Sequence, residues 1–355
     1  MTKKVCIIGP CVNMGGIERA SSVMANEIHA QGHQVMYLAI FRHPRFFEIS
    51  PDILFDEPLD GSNVTSLNIT KTIWRIRKRI AAFNPDTILV YNKFYASLAL
   101  IALTGTGRKI FISERSSPFY HWPAKIRFIN KLALLLNRPS GVIAQTEIAA
   151  KYQSKALPGS VPIAVIPNAI REVRLYPEIA RQNQILAVGR LGDRLKGFDR
   201  LIKAFAQLPD HNWELVFAGG DEEGSELRQL ARSYGVFEKV RFLGKVADID
   251  KVYAGAGMFV IPSRSEGFPN ALCEAMAAGL PCIAFDFVAG PADIIVNGKN
   301  GMLVKDGDIA ALSRTMSELI NNESQRMSLG QNAMQISDTL NSAKVASQVL
   351  DFILS

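Results

Sequence analysis

The sequence predicts an α/β protein made of two doubly wound parallel sheets. Two observations carry this expectation. Short apolar runs alternate with stretches of helical period, as strand–helix–strand units demand. The whole alternation then occurs a second time, and 355 residues is the length of two domains of ordinary size.

In the first half, the runs at 5–8, 35–40, 87–90, 109–113 and 142–144 read as buried parallel strands. Helical patterns near 17–31, 71–83, 94–104, 122–137 and 146–154 separate them. The second series has strands at 185–188, 215–218, 240–243, 258–261 and 282–284. Its helical patterns fall near 197–208, 223–234, 269–279, 307–320 and 323–337. Both halves are thus Rossmann-like, with domains expected at 1–170 and 171–340. The stretch 168–183 has weak periodicity and reads as the linker. A last helical pattern at 341–354 is expected to pack back on the first domain.

Composition narrows the function classes. Hydrophobic residues make up 48% and charged residues 21%, which excludes a disordered chain. The start, Met1 to Gly9, lacks the long apolar run of a signal peptide, and no run approaches the 18 apolar residues of a membrane span. Cys6, Cys11, Cys273 and Cys282 have no metal-ligand spacing and read as reduced thiols of a cytoplasmic protein. Residues 1–170 hold 20 Lys and Arg against 10 Asp and Glu, a net of +10. Residues 171–355 hold 20 against 23, a net of −3. The first half should therefore face an anionic partner.

The strongest motif is Ser263-Arg-Ser-Glu266-Gly-Phe-Pro-Asn-Ala-Leu-Cys-Glu274. A strand ends at Pro262, a loop holds Glu266, and Glu274 lies about one turn inside the next helix. Free N–H groups at that helix start suit a diphosphate. Two carboxylates eight residues apart can reach two ends of one extended ligand, accepting charge-assisted bonds from sugar hydroxyls. The second motif, Val188-Gly-Arg190-Leu-Gly-Asp-Arg-Leu-Lys196-Gly197, places two cations at the carboxyl end of the second sheet, where α/β sheets bind ligands. An Arg fork and a Lys point charge can neutralise a departing diphosphate. The third, Gly9-Pro-Cys-Val-Asn-Met-Gly15-Gly16-Ile-Glu18-Arg19, has the position of a dinucleotide fingerprint but not its glycine spacing, which disfavours a nicotinamide or flavin.

Together these segments resemble the E-x7-E and Gly-Gly motifs of the family 4 glycosyltransferases, and the resemblance covers the whole chain. It implies the GT-B fold, in which two Rossmann-like domains face a central cleft. It also implies retaining transfer of a hexose or N-acetylhexosamine from a nucleotide-sugar, with UDP, the family's commonest donor nucleotide, expected. Carried over by position, Glu266 contacts the transferred sugar and Glu274 the ribose. Arg190 and Lys196 meet the β-phosphate. The backbone of Gly267, Phe268, Pro269, Asn270 and Ala271 holds sugar and phosphates. The Gly15-Gly16 loop approaches the donor, while Gly219, with Asp221 nearby, and Val246 border the nucleotide, plain strand-to-helix turns being the alternative for both segments. No cofactor and no metal is expected: Asp248-Ile-Asp250 has a metal-site spelling but stands where a helix should start, and acidic residues are routine there.

The acceptor side is expected in the first domain. The pattern 71–83 sets Lys71, Arg75, Lys78 and Arg79 on one face, opposite Ile73, Ile76, Ile80 and Phe83. Arg127, Lys131 and Arg138 share a face near 122–138. These faces suit an anionic membrane or a polyprenyl-diphosphate-linked glycan acceptor, with the protein peripheral on the inner face of the membrane. Solvated helix faces are the plainer alternative. Glu114 and Arg115, at a strand end, are expected beside the acceptor. Two rivals remain on residues alone: a sugar-nucleotide epimerase, and a basic nucleic-acid-binding protein. The latter is disfavoured, because aromatics are 8% and no recognition motif accompanies the charge.

Overall fold

A computed structural model describes residues 1–59, 69–117, 122–157, 159–220, 225–288 and 290–355. The chain divides into two units, Met1–Ala169 with Ser342–Ser355, and Ile170–Asn341.

The first unit runs β1 (Lys4–Gly9), α1 (Gly16–Ala30), β2 (Gln34–Ala39), β3 (Leu54–Asp56), α2 (Ile69–Phe83), β4 (Thr87–Tyr91), α3 (Lys93–Ala102), β5 (Ile110–Ser113), α4 (Ala124–Leu136), β6 (Gly141–Ala144), α5 (Glu147–Ala156) and β7 (Ile163–Val165). Its sheet is parallel, in the order β3-β2-β1-β4-β5-β6-β7. Alternation along β1 makes both faces apolar. Val5 and Ile7 join the core shared with α1, whereas Cys6 and Ile8 join the core under α2 and α3.

The second unit runs β8 (Gln184–Val188), a 3-10 turn at Arg194–Lys196, α6 (Phe198–Phe205), β9 (Glu214–Ala218), α7 (Ser225–Ser233), β10 (Val240–Phe242), α8 (Ile249–Gly255), β11 (Met258–Ile261), α9 (Asn270–Ala277), β12 (Cys282–Asp286), β13 (Met302–Lys305), α10 (Ile309–Asn321), α11 (Glu323–Ala333) and α12 (Ile336–Thr339). Its parallel sheet is ordered β10-β9-β8-β11-β12-β13. Three strands escape the sequence reading: β3, β7 and β13. All three are edge strands. An edge strand is short and half-solvated, so it lacks the continuous apolar run that marks an interior one.

The last helix, α13 (Ser342–Leu354), returns to the first unit. Val345, Ala346, Val349 and Ile353 are buried in the α1 core, and the Phe352 ring meets Phe111 edge-on at 5.4 Å. Ser342 Oγ donates to Glu27 Oε1 at 2.5 Å, and Gln31 Nε2 donates to the Ala343 carbonyl at 3.1 Å. All four cysteines are free and buried, and burial pushes the Cys6 thiol far up. Among the described residues no helix is long and apolar enough to cross a membrane.

Each sheet reverses its strand order once, between β1 and β4 and between β8 and β11. Ligands of open α/β sheets bind at the carboxyl ends beside such a switch point. In the second unit this is where β8 delivers Gly189-Arg190 and β11 delivers Pro262 to Glu266.

Candidate active site

Glycines bring the second unit's motifs together. Gly197 closes the 3-10 turn at φ +68°, and a Cβ there would lie 2.0 Å from the Pro262 carbonyl oxygen. Only glycine combines that left-handed backbone with so close an approach. The contact seats Lys196 against the loop after β11. Lys196 Nζ donates to both carboxylate oxygens of Glu266, at 2.8 and 3.0 Å, and buried Ser263 Oγ donates to Oε1 at 2.7 Å. Beside them Arg264 forks onto Asp199 with two bonds of 2.7 Å, and its backbone N–H donates to the Leu195 carbonyl at 2.7 Å. The Arg264 hydrogen bonds hold the Asp199 carboxyl below its ordinary range. Two loops 70 residues apart are thus locked into one surface.

Arg190 is not drawn into this cluster. Its side chain is 78% exposed, and its ion pair is with Asp193, at 3.6 Å. The loop Gly267–Pro269 leads directly into α9, and Pro269, the residue before the helix, offers no side-chain cap. The Phe268 side chain is buried in the core, while Asn270 and Ala271 are half-buried at the helix start. Gly219 follows β9 at φ +137°, where a Cβ would stand 2.1 Å from the Gly189 carbonyl oxygen, and its N–H donates to the Gly244 carbonyl at 2.8 Å. Val246 packs half-buried against the core. Asp221 lies outside the described residues.

Glu274, on α9, is buried and has its own partners. Arg171 Nε lies 3.5 Å from its Oε2, and the buried Tyr253 hydroxyl donates to the same oxygen at 3.4 Å. Arg171 also forks onto Asp250, with Nη1 at 2.8 Å from Oδ2 and Nη2 bonded to Oδ1, and the Arg174 N–H donates to Asp250 Oδ2 at 3.0 Å. Burial pushes the Asp250 carboxyl up, but these bonds outweigh it and bring it below its ordinary value. Asp248 caps α8 through the Lys251 N–H and accepts from Tyr176 Oη at 2.6 Å. Both carboxylates of Asp248-Ile-Asp250 are therefore engaged within the fold. Arg171 and Tyr253 were missed in the sequence. Arg171 stands in the segment read as a linker, and the signal that marks it is a cation in an aperiodic stretch.

In the first unit, Gly15 precedes α1 with no side-chain cap, and Gly16 is its first residue. Glu114 is buried at the end of β5. Its Oε1 accepts the Ser116 N–H at 2.9 Å, and burial pushes its carboxyl up. Arg115 donates to Asn168 and lies 5.2 Å over the Tyr91 ring.

The basic face expected on α2 needs correction. Arg75 and Arg79 both pair with Asp56, a buried carboxylate at the end of β3, and Arg75 also donates to the Ala39 carbonyl. Helical spacing cannot see a counter-charge supplied by a neighbouring strand, so these cations tie α2 to the sheet edge. In α4, by contrast, Arg127 and Lys131 are exposed beside exposed Phe128, Leu132, Leu135 and Leu136, and only Asn130 and Ala133 are buried.

These features define an enzyme of the GT-B class, and known proteins agree. The solved structure of HepE from Anabaena in complex with UDP has a TM-score of 0.80, with 18% identity over 99% of this chain and all of that one. The chain belongs to the family 4 glycosyltransferases. A model described as Glycosyltransferase Family 4 matches residues 14–174, and one described as Glycosyl transferases group 1 matches residues 173–336. A Campylobacter jejuni N-acetylgalactosaminyltransferase acting on an undecaprenol-diphosphate-linked glycan is 25% identical over 94% of this chain and 93% of its own length. The Streptomyces coelicolor exopolysaccharide phosphotransferase SCO2592 is 28% identical over 90% of this chain, which spans only 37% of that relative. The chain is a glycosyltransferase akin to those of bacterial glycan assembly, and these likenesses do not favour the epimerase or nucleic-acid readings.

Proposed function

We propose that the second unit holds a nucleotide-sugar, with UDP as the nucleotide, and that its hexose or N-acetylhexosamine passes with retention to a glycan or polyprenyl-diphosphate-linked acceptor served by the first unit. The observation that carries this reading is the chelation of Glu266 by Lys196 at the switch point of the second sheet. A lysine there meets the charge that develops on the departing diphosphate, and Arg190 extends from the same sheet end to join it. Glu266 positions the sugar, and Glu274 accepts from the ribose. The backbone of Gly267, Phe268, Asn270 and Ala271 faces sugar and phosphates, with the Asn270 N–H donating within the turn to the Phe268 carbonyl at 2.9 Å. Pro269, which has no N–H, shapes the turn, and Gly219 and Val246 border the nucleotide. Glu114 and Arg115 stand on the acceptor side, in the same unit as the Gly15–Gly16 loop. The bond between anomeric carbon and phosphate oxygen breaks on the face where the acceptor oxygen bonds. Fixed protein charges take the place of a metal in this scheme.

The acceptor's lipid gives the enzyme a membrane address. The exposed α4 face, with Arg127 and Lys131 beside four apolar side chains, supports a peripheral seat on the anionic inner surface of the cytoplasmic membrane.

Thermal shift against UDP, GDP, ADP, TDP and CMP, with and without EDTA, tests the donor site. A ligand at 100 times its Kd adds about 2.7 kcal/mol. UDP should stabilise the protein equally with and without EDTA. Stabilisation by none of the five would remove the donor reading, and stabilisation lost with EDTA would remove its metal independence. Proton NMR of the product then reads the anomeric configuration, and an inverted linkage would rule out retention.

A further inference from the structure

We infer that Arg171 and Asp250 are positioning residues that hold Glu274 ready for the donor's ribose, so that the enzyme's preference for a ribose diol is set partly by a segment before β8. The inference rests on the reading of Glu274 as the ribose carboxylate.

The geometry has a direction. Asp250 takes both terminal nitrogens of Arg171 in a fork and is itself fixed by the Arg174 N–H at 3.0 Å. A bidentate pair fixes the guanidinium plane as well as its position. The edge left over carries Nε, and it lies 3.5 Å from Glu274 Oε2. That contact is longer than the 2.8 Å bond to Asp250, so Asp250 anchors the arginine and the arginine presents its remaining edge to Glu274. The Tyr253 hydroxyl reaches the same oxygen from α8, at 3.4 Å. α8 also supplies Asp250, so one short helix and one aperiodic segment together grip the carboxylate.

Glu274 needs this grip because it is 7% exposed. A carboxylate so far from water has lost most of its hydration and must be held by protein partners instead. Arg171 holds it from the side, and two contacts on Oε2 set the plane of the carboxyl group. A carboxylate held in one orientation makes charge-assisted bonds to hydroxyls, and such bonds are worth about 1.5–3 kcal/mol, or roughly ten- to hundredfold in affinity. Without Arg171 the carboxylate loses the guanidinium contact that orients Oε2.

Isothermal titration of UDP, GDP and ADP, each against its 2′,3′-dideoxy form, tests this. Wild-type protein should favour a ribo form by about tenfold or more, and Glu274→Gln should abolish the preference. The double variant Arg171→Met/Asp250→Asn removes the guanidinium together with the carboxylate that anchors it. It should bring the preference within about threefold in protein whose circular dichroism spectrum matches wild type. A general loss of structure would weaken ribo and dideoxy forms alike and leave the ratio unmoved. Should the double variant not fold, Asp250→Asn alone keeps a hydrogen-bond partner for Arg171 and carries the same readout, with a preference at least halved. Full retention of the preference in these variants, alongside its loss in Glu274→Gln, overturns the role of Arg171 and leaves Glu274 standing. Retention in Glu274→Gln, or no nucleotide binding at all, overturns the reading of Glu274 and this inference with it.

Discussion

The carboxyl ends of the two sheets treat polar groups in opposite ways. In the second unit charges are committed in pairs: Lys196 to Glu266, Arg264 to Asp199, and Arg171 to Asp250 and Glu274. In the first unit, at the end of β5, Ser113 Oγ, Glu114 Oε2 and Arg115 Nε are buried without a hydrogen-bond partner. Each such atom costs about 1–3 kcal/mol, and folds keep that cost where function draws on it. The contrast matches the two substrates proposed. A nucleotide diphosphate is a constant ligand, and a rigid set of paired charges suits it. Acceptors vary among relatives, and a site for them gains from polar atoms not yet committed.

Four measurements break or sharpen this contrast. Lys196→Ala should have the largest effect, lowering turnover about 10²–10³-fold, or about 2.7–4 kcal/mol in the barrier, with an unchanged circular dichroism spectrum. Turnover within a factor of three of wild type would dissociate the committed charges from the chemistry. Gly197→Ala comes next. It sets a Cβ against the Pro262 carbonyl and strains a left-handed backbone, and should destabilise the protein by about 2–3 kcal/mol in urea unfolding. An unshifted midpoint would mean that the two loops are not locked through this contact.

Glu114→Gln probes the uncommitted side. Burial raises this carboxyl's folded pKa above its unfolded value, so its contribution to stability is complete below the ordinary carboxylate range and is lost as pH rises through the raised value. The neutral variant should therefore gain on the wild type by about 1 kcal/mol at pH 8, and show little gain at pH 4. A pH-independent difference between the two proteins contradicts this account. The smallest effect on stability, under about 0.5 kcal/mol, is expected from Phe128→Ser with Leu135→Ser on exposed α4. The same pair should abolish flotation with vesicles of phosphatidylglycerol, and undiminished flotation would take α4 off the membrane.

Interior strands were legible because both their faces are apolar, and the site motifs because glycine, acid and base recur at a strand end. What was not legible is long-range pairing. Arg171 meets Asp250 across 79 residues, so neither shows its role in its own window. Asp56 sits 19 residues before Arg75 on a three-residue edge strand, and without it α2 reads as a free basic face. Arg190 has the spacing of a phosphate ligand, yet the fold leaves it pointing to solvent beside Asp193. Local pattern names the residue types at a site, and only the fold reveals which charges are already matched.

The return of α13 sets an order of events during synthesis. Residues 342–355 fill the face of α1 and cover Phe111, and Gly141 leaves room for the Phe352 ring, where a Cβ would stand 2.7 Å away. Until those residues leave the ribosome, the first unit shows an unfilled apolar groove, although its strands were made first. The second unit, contiguous from Ile170 to Asn341, has no such wait. The Ile170 N–H donates to the Leu340 carbonyl at 2.9 Å, so that unit knots its own two ends together. The portion translated later is thus the one able to finish maturing first, and a ribosome stalled before residue 342 would hold out a sticky, half-closed first unit for chaperones.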